Sequence, residues 1–194
     1  MWIDVHLISR PSSPTSIPAP SLNPPLPFAF VFNSSVGVSQ WHGYTAFQSP
    51  HTGIDFSVSD KTVITPRDGV VIFAGWDSAN GKCLSGGNIV IVEHDNGFHT
   101  AYFHLKSLVS PDRRQLTTGL HVSKGQPLAT SGNTGAWNCQ PLGGHLHYEV
   151  RTSKSQSTHI DPVPVVDINW STIPTAGWQQ NQGRLSGDNP HPTY

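Results

Sequence analysis

Two short stretches of this chain carry residues that could do chemistry together. The first is His51-Thr52-Gly53-Ile54-Asp55; the second, far downstream, is His145-Leu146-His147-Tyr148-Glu149. Imidazole and carboxylate are the usual nitrogen and oxygen ligands of zinc, and a catalytic zinc site takes three protein ligands and keeps one position open. Residues two apart on a strand face the same side. On a strand from His145 to Arg151 both imidazoles therefore point one way, and Leu146, Tyr148 and Val150 point the other. The first stretch is less specific by itself. A spacing of four would align His51 and Asp55 on a helix, but Pro50 and Gly53 favour a loop running into a strand, and both residue types are common in turns. Its weight comes from the combination. If the fold brings the two stretches together, a metallohydrolase site results, and a further histidine on another strand gains a role.

Such a site needs strands to hold it, and strands are what the rest of the chain offers. Pro66-Arg67-Asp68-Gly69 is a turn signal followed by Val70-Val71-Ile72-Phe73. Asn88 to His94 is a β-branched run, and Phe98 to Leu105 follows after Asp95-Asn96-Gly97. Asn-Gly between two strand-like runs is the strongest short hairpin signal. With Asn96-Gly97 as a two-residue loop, Val90 pairs with Phe103 and Val92 with Ala101 on one apolar face. His104 is then expected on the opposite face, with Tyr102, Thr100 and Glu93. Lys124-Gly125-Gln126-Pro127 is another turn, before Leu128-Ala129-Thr130, and Ser131 to Gly135 is a small-residue loop. No amphipathic helix of ordinary length is recognisable. The expected fold is all-β: short antiparallel strands in a β-sheet or sandwich-barrel, with long loops around an open groove.

A chain of 194 residues suits one domain with extensions and can bury a sizeable core. Residues 10–27 are a Pro/Ser tract with few core-forming side chains. Residues 1–27 therefore read as an arm or linker and 28–168 as the domain. Residues 169–194 read as a C-terminal extension whose polar end frays, although Trp170, Ile173 and Trp178 can still dock. Only 12% of residues are charged, the net charge is −1 and no basic stripe exists, so nucleic acid is a poor partner and an anionic surface is not favoured. No apolar stretch is long enough for membrane insertion. Asp4 and His6 interrupt the N-terminus, which does not read as a signal peptide. Cys83 and Cys139 form no CxxC pair; both fall in Gly/Asn/Ser-rich loop sequence, which favours one disulfide, and hence an oxidising compartment, over two unrelated thiols.

Taken in order, HTGIDF, TPRDGVVIFAGW, GGNIVIVEHDNGFHTAYFHL, VSKGQPLATSGNTG, GGHLHYEV and the trailing Ile160-Asp161-Pro162 resemble the lysostaphin-type zinc metallopeptidases, cell-wall endopeptidases that include the β-lytic and staphylolytic enzymes. The resemblance runs from Gly37 to Asp161. It implies one zinc ion (Zn2+) per chain with His51, Asp55 and His147 as ligands. It implies that His145, and His104 from Tyr102-Phe103-His104-Leu105, are catalytic rather than ligating. Two neutral imidazoles and one carboxylate leave zinc a net positive charge and a free position, so a bound water can fall to a pKa of about 7. His104 and His145 then divide proton transfer and stabilisation of the developing oxyanion or leaving amine. The implied reaction is hydrolysis of peptide bonds in peptidoglycan stem peptides or cross-bridges. The implied setting is a monomer, secreted or in the cell envelope, with peptidoglycan peptides as partners. By analogy alone, Tyr102 and Asn133 would contact substrate, and a Cys83–Cys139 bridge would brace the groove walls. The chain departs from the family at Gly143-Gly144, where relatives have Gly-Pro, which loosens the approach to the strand without touching the ligands.

Two other classes compete. One is a non-catalytic or autoinhibited module of the same fold that binds cell wall or activates another wall hydrolase, with the Pro-rich arm lying across the groove. The other is a cupin-like oxygenase, which also uses HxH, but Glu149 lies too near and only His159 and His191 follow. The remaining histidines read as ordinary. His94 and His99 form a solvent-facing cross-strand pair, His6 and His191 sit in tails, His121 lies in a polar connection and His159 precedes an Asp-Pro turn. His42, beside Trp41, is a candidate cleft residue, although a lone histidine is ordinarily structural.

Overall fold

Apolar residues alternating with polar ones over short runs build a sheet with two unlike faces. The computed structural model describes residues 28–43, 45, 50–77, 81 and 83–174; the Pro/Ser tract at 10–27, Trp178, His6 and His191 lie outside them. Among the described residues the regular structure is strand, apart from three single-turn 3-10 helices, so the fold is all-β as the pattern implies. No helix there is long and apolar enough to cross a membrane.

The main sheet has eight strands: β1 (Gly37–Gln40), β2 (Ile54–Ser57), β3 (Gly69–Trp76), β4 (Asn88–His94), β5 (His99–Leu105), β6 (His121–Val122), β7 (Leu146–Arg151) and β8 (His159–Ile160). They lie in the order β1-β2-β7-β5-β4-β3-β6, all antiparallel, and β8 pairs with the end of β7. The six residues of β7 are all buried, because β2 and β5 flank it and both of its faces are covered. Its register sets His147 opposite Asp55 on one side and opposite Phe103 on the other. The two stretches of candidate ligands, far apart in sequence, thus become direct neighbours.

One face of the sheet carries the main core. Ile54 and Phe56 from β2, Val90 and Val92 from β4, Tyr102 from β5, and Leu146, Tyr148 and Val150 from β7 all point there. They pack against Phe28 to Phe32, against an antiparallel ribbon of Thr62–Ile64 with Pro127–Thr130, and against Val163, Val166, Trp170 and Ile173. Phe28–Ala29 pairs in parallel with Val166–Asp167, which ties the two ends of this covering layer together. The opposite face holds a small cluster of Ile89, Ala101 and Phe103 beside His147.

The β4–β5 hairpin forms, but one residue out of the expected register. Val90 pairs with Tyr102 and Val92 with Thr100. The loop is Asp95-Asn96-Gly97, closed by a 2.8 Å bond from the His94 amide to the Phe98 carbonyl, with Gly97 at φ 81. A three-residue loop with glycine in the left-handed region is the next most common hairpin closure. A one-residue slip exchanges the faces, so Tyr102 and Thr100, not Phe103 and Ala101, join Val90 and Val92. Asn88 pairs with Leu105, so Phe103 and His104 together oppose Ile89: a β-bulge with His104 at φ 59. A bulge re-aims side chains, and His104 turns toward His145 and His147 rather than lying with Tyr102.

His94 and His99 are buried, not solvent-facing. The Phe28 ring packs edge-on over His94 at 5.1 Å, and its Nδ1 and Nε2 meet the Asp68 carbonyl (3.1 Å) and the Thr100 hydroxyl (2.8 Å). Burial lowers its pKa from 6.5 to about 4. Below pH 6.5 the unfolded chain takes a proton that folded His94 refuses. Its contribution is therefore complete above that pH and is lost as the pH falls toward 4. The difference is worth roughly 3 kcal/mol. Urea midpoints measured from pH 7 to 4 should fall less steeply for His94→Gln than for the parent.

Candidate metal centre

His51 enters the site from a short antiparallel bridge with Gly43, just ahead of β2, and Asp55 lies one residue inside that strand. Gly53 between them has no room for a side chain: a Cβ there would sit 2.2 Å from the Tyr148 carbonyl and 2.9 Å from Glu149 Cγ. The third residue, His147, projects from β7 beside them. His51 Nε2 lies 2.9 Å from His147 Nδ1 and 3.2 Å from Asp55 Oδ1, and His147 Nδ1 lies 2.8 Å from Asp55 Oδ1. All three residues are buried.

The outward nitrogens decide what this triangle can hold. His51 Nδ1 donates to the Trp41 carbonyl at 2.8 Å, and His147 Nε2 donates to Glu149 Oε1 at 3.0 Å. Each ring has one other nitrogen, and in the neutral ring these bonds leave it with a lone pair. Three acceptors therefore converge: two imidazole nitrogens and a carboxylate oxygen. Such a set repels itself unless a cation sits within it, and imidazoles fixed by outer hydrogen bonds to carbonyl and carboxylate are the usual support of a metal site. The group fits a zinc ion by donor type and number. Its electrostatics point the same way. Burial would raise the Asp55 pKa, yet His51 and His147 hold it well below the usual carboxylate range. Burial would lower that of His147, yet Asp55 and Glu149 raise it to about 9, so without a metal a proton on Nδ1 takes the place of the cation.

His104 and His145 flank the triangle with ring centroids 4.5 Å apart. His104 Nδ1 donates to the Thr134 carbonyl at 2.9 Å and His145 Nδ1 to the Gly143 carbonyl at 2.8 Å, so both keep Nε2 as an acceptor. His145 Nε2 stands 4.0 Å from Asp55 Oδ2. Burial first, then the neighbouring His145 and His147, pushes the His104 pKa down to about 3. The structure thus gathers all five candidate residues around one point. His42 pairs with His159, Nε2 to Nδ1 at 2.8 Å.

Residues that match Peptidase family M23 run from 49 to 162 and include all five. The chain belongs to peptidase family M23. The peptidoglycan DD-endopeptidase ShyA of Vibrio cholerae is 36% identical over 110 residues, 56% of this chain and 22% of that protein. The murein hydrolase activator NlpD of Salmonella typhimurium is 26% identical over 146 residues, 70% of this chain and 34% of that protein. The chain thus spans between a fifth and a third of these relatives' length. Among solved structures, the catalytic domain of the antimicrobial peptidase lysostaphin from Staphylococcus simulans superposes with a TM-score of 0.55 at 26% identity. The match covers 66% of this M23 chain and 90% of that one.

The motifs did not disclose several members of this M23 site. The Trp41 and Thr134 carbonyls are main-chain acceptors, which no side-chain pattern marks. Thr134 anchors its own loop, its hydroxyl donating to the Leu105 carbonyl (2.8 Å) and accepting from the Asn88 amide (3.0 Å). Glu149 was readable: two residues after His147 on a strand, it had to share that face. Cys83 and Cys139 are disulfide-bonded, joining the segment at Leu84–Ser85 to that at Ala136–Trp137, which also pair as strands.

Proposed function

We propose that this chain is a zinc-dependent endopeptidase that hydrolyses peptide bonds in peptidoglycan stem peptides or cross-bridges. The observation that carries this reading is the convergence of three acceptor atoms, each imidazole locked from outside, with two further histidines beside them. His51, Asp55 and His147 would hold one zinc ion. Bound there, it supplies a Lewis acid that polarises the scissile carbonyl and acidifies a water. His104 and His145 share the proton work: with Nδ1 tied to a carbonyl, each offers Nε2 to take the water's proton or to pass one to the leaving amine.

On this reading residues 28–168 are the catalytic domain, 1–27 an arm and 169–194 an extension, and the protein acts as a monomer in the cell envelope or outside the cell. The disulfide supports that location, since such bonds persist in oxidising compartments. A relative that is a murein hydrolase activator supports a second reading, a non-catalytic module of the same fold. Digestion of purified peptidoglycans of different cross-bridge types, with mass analysis of the products, separates the two. The endopeptidase releases new peptide termini, stops on chelation and resumes on zinc addition. An activator releases none on its own at any zinc level.

A further inference from the structure

Of the groups that lock the imidazoles from outside, Glu149 is the one side chain, and it is a buried acid. Glu149 is 0% exposed, on the His147 face of β7. A charged group removed from water is tolerated only when it is paired and hydrogen-bonded. Glu149 Oε1 accepts from His147 Nε2 (3.0 Å), from the Thr52 hydroxyl and from Gln156 Nε2 (2.9 Å). Oε2 accepts from the guanidinium of Arg151, whose Cζ lies 5.7 Å from the Phe103 ring centre. Arg151 balances the charge, so the pair adds direction without adding net charge. The chain also makes room for it, since a side chain at position 53 would collide with Glu149 Cγ.

Only one of these partners, His147, belongs to the acceptor triangle. While Oε1 accepts from Nε2, that nitrogen keeps a proton, so it is Nδ1, facing His51 and Asp55, that can give its lone pair to a cation. We propose that Glu149 is a positioning residue: held charged by Arg151, it keeps His147 in the Nε2–H form and so sets the affinity of the centre for its divalent cation. The proposal rests on the zinc reading above. An amide at position 149 serves poorly in either orientation. With its oxygen toward His147 it turns an NH2 onto Arg151; with its oxygen toward Arg151 it turns an NH2 onto Nε2 and favours the wrong tautomer. Removing the cation as well, by Arg151→Met, relieves the first conflict.

Zinc affinity of the full chain, measured by competition with a chromogenic chelator, should fall roughly 10- to 100-fold in Glu149→Gln. It should recover in part in the Glu149→Gln/Arg151→Met double variant, while the metal-free melting temperatures show that both are folded. Unchanged affinity in the single variant, or no recovery in the double, overturns the proposal. Nitrogen-15 histidine NMR of the zinc-loaded parent tests it without any substitution: His147 should carry its proton on Nε2, and a proton on Nδ1 overturns it. A parent that binds no zinc at all defeats the zinc reading instead, so the two failures are distinct.

Discussion

His104→Ala and His145→Ala should each keep one zinc per chain yet release peptidoglycan fragments about 10²–10⁴-fold more slowly than the parent. The expectation follows from where the rings stand. The acceptor triangle is made by His51, Asp55 and His147 alone, with edges of 2.8 to 3.2 Å. His104 contributes no atom to it; its ring centre is 6.3 Å from that of His147. His145 Nε2 stands 4.0 Å from Asp55 Oδ2. Truncating either leaves the donors and their outer hydrogen bonds in place but removes an Nε2 that, on the proposed reading, faces the reacting atoms. His104→Ala also keeps the bulge, because the parent already places a non-glycine residue at φ 59. Zinc content by elemental analysis and product release by mass spectrometry are read on the same preparation. If both variants stay active, the proposed division between ligating and catalytic histidines is wrong. If either loses zinc, that residue belongs among the ligands.

The parts of this site that were legible in the sequence are those set by local geometry. The period of two placed Leu146, Tyr148 and Val150 in the core, as found, with His147 on the other face of β7; His145 stands just ahead of the strand, in a bridge with Gly132. Turn chemistry located the β4–β5 hairpin. It could not set the loop length, because Asp95-Asn96-Gly97 closes as readily with three residues as with two. That one-residue difference decides which of Tyr102 and Phe103 enters the core. His104 reaches the site through a bulge, and a bulge depends on how β5 is held against β4 and the Thr134 loop. The burial of His94 and His99 was illegible for a related reason: Phe28, which covers His94, arrives from a segment far away in the chain. Glu149 and Arg151 look like the polar face of an ordinary exposed strand, yet both are buried. Alternation reports which residues share a face and not what covers it.

His147→Ala should abolish both zinc binding and cleavage, and its melting temperature should no longer respond to zinc. On the proposed reading a cation in the parent would relieve three acceptors held within 3.2 Å of one another, so it would bind the folded state and not the unfolded one. At a free zinc concentration 100 times its dissociation constant, that linkage adds about 2.7 kcal/mol, or roughly 5–11 °C in melting temperature for a domain of this size. Alanine at 147 removes the residue that lies 2.8–2.9 Å from both of the other donors, and two donors do not make a closed site. The fold should survive, because Glu149 retains Thr52, Gln156 and Arg151 as partners and is not stranded. This separates the variant from one that merely unfolds, since its metal-free melting temperature remains measurable and flat against added zinc. A zinc-dependent rise in His147→Ala comparable to the parent's would mean that the ion sits elsewhere, and the triangle would lose its assignment. Scanning calorimetry of parent and variant, metal-free and with graded zinc, decides between these outcomes before any substrate is chosen.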